Sequence, residues 1–305
     1  MKKRIAMAFL LLVVLLVSFG CKKGKNDGES EKLTVGMMSA VDSIPFYLAL
    51  EREYFEQEKV HVELVLFTNA QHRQTALQTG QVDGAMTDLV ALVTHSNTDF
   101  KLKGTLSTDG IFPLLINKEA TENDRLAIGT MEISVTNYVL EKYLAGKKIL
   151  EKVYINEIPA RLEAILAGQL DGGIFPEPFA SVGQLRGLEK LVFPEIPRQS
   201  LNIIAFTESA IKNKGSAIKK FSRAYARAIS DLQERPELEF DTMAIFIPNY
   251  SNEIDSVVTL PIFNDPQLPD TLFIEEIINW TESVTKVAFP VDAESIVDRT
   301  FIEGL

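Results

Sequence analysis

From Leu33 onward the apolar positions follow two alternating periods. Leu33 to Met38 reads as a buried strand, Pro45 to Phe55 as a helix with proline in its first turn, and Val60 to Phe67 as a strand of alternating polarity. Ala70 to Thr79 is again helical and Val82 to Met86 again a strand; later, Val135 to Ala145 carries the helical pattern and Lys152 to Glu157 a strand-like one. Strands alternating with helices predict an α/β protein whose parallel strands are joined by right-handed crossovers. Ligands on such sheets bind beyond the carboxyl ends of the strands. Ser216 to Gln233 predicts an amphipathic helix, with Ile218, Phe221, Tyr225, Ile229 and Leu232 as a core-facing stripe. Leu272 to Val284 predicts another, carrying Trp280 toward the core or the surface of the first lobe.

An internal repeat divides this series. Ala76-Leu-Gln-Thr-Gly80-Gln81-Val-Asp83-Gly84 recurs as Ala164-Ile-Leu-Ala-Gly168-Gln169-Leu-Asp171-Gly172, shifted by 88 residues. Both copies end a helix on a glycine, where a left-handed backbone carries no Cβ penalty, and then enter a short strand. Asp83 and Asp171 read first as local hydrogen-bonding groups at these junctions. Two related lobes follow. Between them, Phe112-Pro-Leu-Leu-Ile-Asn117 and Leu201-Asn-Ile-Ile-Ala-Phe206 read as candidate partner strands of a two-crossing hinge. The expected organisation assigns 33–112 and 203–305 to lobe one, 118–200 to lobe two, and 113–117 and 201–206 to the hinge.

The 305 residues, 46% hydrophobic, suffice for two modest domains. A formal net charge of −11 leaves no basic excess for a phosphate backbone, so nucleic acid is not an expected partner. Three separated histidines (His61, His72, His95) and one cysteine, Cys21, make neither a zinc-type cluster nor an internal disulfide, and no metal or cofactor is expected. Lys2, Lys3 and Arg4 precede an uncharged run from Ile5 to Val17, shorter than the roughly 20 residues of a membrane span. Residues 1–20 therefore read as a signal peptide. Gly20-Cys21 resembles the lipobox of bacterial lipoproteins, although Ser18 and Phe19 depart from the Leu and small residue preferred there. That resemblance implies a diacylated Cys21 holding the protein to the cell membrane, facing the periplasm or the exterior, with 21–32 as a flexible linker. A cysteine at an ordinary secretory cleavage site is the alternative.

Val35-Gly-Met, Pro45-Phe-Tyr-Leu-Ala, Glu53-Tyr-Phe, Val62-Glu-Leu, the two repeat copies, Asp88 and Phe175-Pro-Glu-Pro178 together resemble the sulfonate, nitrate and thiamine-precursor binding proteins of ABC importers. The resemblance covers Leu33 to about Glu237. It implies a two-lobe, type II periplasmic-binding-protein fold that closes over a small molecule and delivers it to a permease and its ATPase, with the binding protein itself a monomer.

The polar residues at the predicted strand ends make the candidate ligand site. Lobe one offers Ser39, Asp42, Ser43, Asn69, Arg73, Thr87 and Asp88; the approach to the hinge offers Thr108 and Asp109; lobe two offers Ser134, Thr136, Asn137, Glu157 and Glu177 beside Phe175. Five acids face one arginine. Burying like charges around an anion is costly, which favours a nitrogen-bearing, pyrimidine-like or cationic ligand, with Phe46, Tyr47, Phe112 and Phe175 as candidate stacking partners. A sulfonate or nitrate is the alternative. Asp88, Ser134 and Thr136 read equally as helix caps, and Arg73 as an exposed helix charge.

No Gly-x-Ser-x-Gly elbow, Gly-rich phosphate loop or His-Glu-x-x-His run is present. A binding protein is thus expected rather than an enzyme. A secreted, dehydratase-like enzyme using paired acids such as Asp42 and Asp88 is the alternative of another class.

Overall fold

The computed structural model describes residues 31–194, 200–248 and 250–305. The expected signal peptide, Cys21 and the linker as far as residue 30 lie outside the described residues. The expected linker is two residues too long: Glu31 and Lys32 already pair with Val60 and His61 as the first rungs of a sheet. Their side chains are exposed and ion-paired, to Lys220 and Glu63, which hides a strand start behind polar residues.

Among the described residues, ten strands make two five-stranded sheets. β1 (Glu31–Met38), β2 (Val60–Phe67), β3 (Gly84–Asp88), β4 (Leu102–Thr108) and β10 (Asn202–Thr207) lie in the order β2-β1-β3-β10-β4. β5 (Leu114–Ile116), β6 (Arg125–Thr130), β7 (Ile149–Tyr154), β8 (Gly172–Ile174) and β9 (Glu189–Leu191) lie in the order β7-β6-β8-β5-β9. The two orders are the same motif: three parallel strands, then an antiparallel strand delivered by the chain as it passes between lobes, then an edge strand.

The expected pairing of 113–117 with 201–206 is therefore corrected. β5 sits between β8 and β9 in the second sheet and β10 between β3 and β4 in the first. An apolar run announces a buried strand but not the sheet that buries it. The chain crosses between the sheets over residues 109–113 and again after β9.

The helices are α1 (Ile44–Glu51), α2 (Tyr54–Gln57), α3 (Ala70–Gln78), α4 (Leu89–Ser96), α5 (Val135–Leu144), α6 (Ile158–Leu166), α7 (Phe179–Leu185), α8 (Glu208–Glu234), α9 (Leu238–Phe246) and α10 (Thr271–Thr285). The single helix expected over Pro45 to Phe55 breaks in two because Glu53 adopts a left-handed conformation, φ 56°.

Both repeat copies fold alike. Gly80 and Gly168 take φ of 71° and 69°, ending α3 and α6. Asp83 then accepts the backbone N–H of Thr34 at 2.9 Å, and Asp171 that of Ala127 at 2.7 Å, so each carboxylate ties its junction to the first strand of its own sheet. Asp83 also meets Lys214, where α8 bends.

The stripe expected on α8 is buried along its length, and Phe221 packs against Phe46, Phe55 and Phe206 at ring separations of 5.3, 5.5 and 6.0 Å. A second apolar cluster runs from α4 and α10 into β5, β6 and α5, so the lobes share part of their core. Trp280 belongs to that contact, half-buried against Tyr138 of lobe two and donating to Glu141 at 2.6 Å. Phe221→Ala should lower unfolding free energy by about 3–5 kcal/mol in urea titration; a loss of under about 1 kcal/mol would remove Phe221 from the centre of this core.

Candidate functional site

In each sheet the first of the parallel strands, β1 and β6, is followed by a turn or bend that leads into a helix. After β1, a 3-10 turn buries Asp42, one carboxylate oxygen of which accepts from the Thr108 hydroxyl at 2.6 Å and the Asn202 amide at 2.9 Å. Its other oxygen is buried without a partner, as is the Ser39 hydroxyl beside it. Ser43 turns away and donates to the Met38 carbonyl.

Arg73, on the first turn of α3, is 7% exposed rather than a free surface charge. Its guanidinium donates to the Thr87 hydroxyl at 3.2 Å at the end of β3, and its Nε has no partner. Asp88 caps α4 through the Ala91 N–H at 2.9 Å. Burial raises the pKa of Asp42 and Asp88 and lowers that of Arg73, while the attraction of Arg73 for both carboxylates opposes each shift. These are three charges held out of water with one cation among them.

Lobe two repeats the layout. Ser134 caps α5 through the Thr136 N–H; the Ser134 and Thr136 hydroxyls bond each other, and that of Thr136 accepts from the Thr130 hydroxyl. The Asn137 amide donates to the Glu132 carbonyl while its oxygen is buried unpartnered. Phe175, fully buried at the end of β8, carries the guanidinium of Arg161 over its ring at 4.8 Å.

Arg161 was missed by the sequence reading, and the inventory of one arginine is corrected to two. The signal was available: the 88-residue shift of the repeat maps Arg73 onto Arg161 and Asn69 onto Glu157. Asn69 caps α3 and its amide bonds Glu157, which stands at the start of α6, so the matching ends of the two matching helices meet across the crevice.

Other expected members are placed elsewhere. Asp109 accepts from the backbone and side chain of Asn264, both at 3.0 Å. Glu177 is wholly buried with its carboxylate on Lys190 at 2.6 Å, and it also accepts from Ser181 and from the Thr259 N–H. Phe46 and Tyr47 are core residues: Phe46 stacks on Phe221 and Tyr225, Tyr47 on Phe246 at 4.2 Å. Phe112 lines a cavity of about 320 Å³ beside the crossings, with Tyr143 and Phe193 stacked across it. The charged groups of that cavity are already engaged, Lys142 by Glu276 and Asp109 by Asn264. Five side chains with a buried, unpartnered polar atom, Ser39, Asp42, Arg73, Asn137 and Arg161, follow the parallel strands of the two sheets, and these make the candidate site. Among the described residues no three His, Cys, Asp or Glu side chains group to hold a metal ion.

This architecture is the periplasmic-binding-protein fold. Residues 40–110 match the NMT1/THI5-like family model. The chain is similar to the ligand-binding component of an ABC-type import system from Staphylococcus aureus, solved with zinc (16% identity, TM-score 0.76, covering 90% of this chain and 98% of the other). It is similar to the alkanesulfonate-binding protein SsuA of Xanthomonas axonopodis pv. citri bound to MOPS (16% identity, TM-score 0.68, 90% and 100%). A conserved Candida albicans gene product described as having the generic periplasmic binding protein fold also superposes (15% identity, TM-score 0.67, 88% and 96%). No curated protein matches by sequence. The family model and the shared fold bear out the resemblance read from the sequence.

Two predictions follow from the buried charges. Because burial raises the Asp42 pKa, the folded chain holds that proton more tightly than the unfolded chain. Stability falls as pH rises from the ordinary carboxylate value, roughly pH 4, toward the raised one, and the penalty persists above it. Asp42→Asn lacks this limb, so its stability relative to the parent should improve between about pH 4 and pH 7 in urea titrations; a difference that does not vary with pH would contradict a charged, buried Asp42. Glu177→Ala strands the Lys190 ammonium and should cost about 3–5 kcal/mol, whereas a near-neutral result would dissolve the ion pair's structural role.

Proposed function

We propose that the protein is the extracytoplasmic solute-binding lipoprotein of an ABC importer, acylated at Cys21, that captures a small nitrogen-bearing ligand between its lobes and passes it to a permease and ATPase. The observation that carries this reading is that Ser39, Asp42, Arg73, Asn137 and Arg161, on the turns and helix starts that follow the parallel strands of both sheets, each bury a polar atom without a partner. Such groups cost stability unless a ligand or water completes them. The import-system and alkanesulfonate-binding neighbours support the transport role.

Capture works by a shift between open and closed arrangements, biased by the ligand's greater affinity for the closed one. The crossings at 109–113 and after β9 are the segments about which the lobes turn. The Asn69–Glu157 contact is made when the lobes meet. Asp42 and Asp88 favour a ligand that offers N–H donors or a positive charge to lobe one. A wholly anionic ligand such as a sulfonate is the second reading, favoured by the alkanesulfonate-binding neighbour. An enzyme would return its ligand changed; this protein should return it intact.

Thermal unfolding of the full chain in detergent, against N-heterocycles, polyamines, amino acids, sulfonates and nitrate, tests the reading. A ligand at 100 times its Kd adds about 2.7 kcal/mol, a shift of several degrees, and Asp88→Ala should weaken that binding at least tenfold with the fold intact. Silence across the panel, together with no small molecule in native mass spectra of the purified protein, would overturn it.

A further inference from the structure

Three cations have side chains buried in the described structure: Arg73, Arg161 and Lys190. Lys190 is paired with Glu177, and Arg73 lies in the field of Asp42 and Asp88. Arg161 alone has no carboxylate partner among the described residues. It is 0% exposed, and its guanidinium donates to the Ile155 carbonyl at 2.8 Å and lies on the Phe175 ring, while its Nε is buried with nothing to bond. Burial alone pushes its pKa down to about 10, with no neighbouring charge opposing the shift.

This position is built rather than incidental. The arginine passes over Gly129 of β6, where a Cβ would stand 2.8 Å from its Cγ and 3.1 Å from its Cδ. Glycine is required there by space, because any side chain would displace the arginine from the strand ends. The neighbours that fix the guanidinium, Ile155 after β7 and Phe175 after β8, both lie at the carboxyl edge of the sheet. A buried guanidinium with one carbonyl, one aromatic face and a free N–H is a charge awaiting an anion.

We propose that Arg161 anchors an anionic group, a carboxylate or sulfonate, of the captured molecule, so that this molecule is amphoteric: its anionic end on lobe two, its N–H-bearing end on Asp42 and Asp88 of lobe one. This rests on the solute-binding reading above. The repeat supplies two equivalent arginines, and the acids beside only one of them decide which end of the ligand each lobe takes.

The test follows thermal unfolding of the full chain, Arg161→Met and Arg161→Lys at constant ionic strength as chloride is replaced by inorganic sulfate. Sulfate stabilises all proteins by exclusion, without saturating. Beyond that common background, the parent should show a saturable rise of a few degrees that Arg161→Met loses and Arg161→Lys retains in part. In chloride, Arg161→Met should melt at or above the parent, since it removes an unpaired buried charge; a purely structural arginine would instead make it melt lower. Equal sulfate responses in the parent and Arg161→Met, or no saturable response in either, would overturn the proposal. The small-molecule panel on the same proteins separates the two failures. A panel ligand held equally by the parent and Arg161→Met leaves the binding reading standing without this anchor, and a silent panel removes the reading itself.

Discussion

The buried pair of Glu177 and Lys190 is the interaction on which the arrangement of the lobes depends. Through its carboxylate Glu177 holds β9, the first turn of α7 and the backbone at Thr259; through its own N–H it bonds the Ile111 carbonyl of the first crossing, and through its carbonyl it accepts from Val41 of lobe one. Lys190 adds the Val257 carbonyl. One residue thereby joins lobe two, lobe one, a crossing and the returning C-terminal segment. An ion pair with no exposure returns its desolvation cost only when its remaining donors and acceptors are bonded, and here they are. The pair fixes geometry more than it adds stability.

Against that rigid nexus, the contact at the far lips of the crevice is weak. Asn69 and Glu157 meet in an exposed position, where a side-chain hydrogen bond competes with water and contributes little net free energy. The lobes are thus joined strongly at one side of the crevice and weakly at the other.

The parts of the fold legible in the sequence were those set by local periodicity. β1, β2, α3 and α5 fall within two residues of the positions their patterns predict, because one buried face leaves its period in the chain, whereas α8 begins eight residues before its expected start. The repeat was legible because Gly80 and Gly168 need a left-handed backbone and Asp83 and Asp171 each tie a junction to its first strand. What failed was whatever depends on distant partners. Nothing near Phe112 or Leu201 says that each strand joins a different sheet, and nothing near Glu177 says that Lys190 will neutralise it. Phe46 and Tyr47 looked available for stacking on a ligand until α8 and α9 covered them.

The repeat also explains why the second arginine was missed and why it matters. The eye settles on Gly-Gln-x-Asp-Gly, where the copies are nearly identical, and not on the first helical turn upstream, where Asn69-Ala-Gln-His-Arg73 faces Glu157-Ile-Pro-Ala-Arg161 and the arginine alone recurs. The junction residues are alike because both lobes need the same turn. The helix starts differ because the two lobes face different parts of what lies between them. In a scaffold whose halves share strand order and even an arginine, the difference that remains is charge: Asp42 and Asp88 act on Arg73, whereas no carboxylate among the described residues pairs with Arg161. Symmetry of framework with asymmetry of charge distinguishes the two lobes without requiring either to abandon the fold it shares with the other.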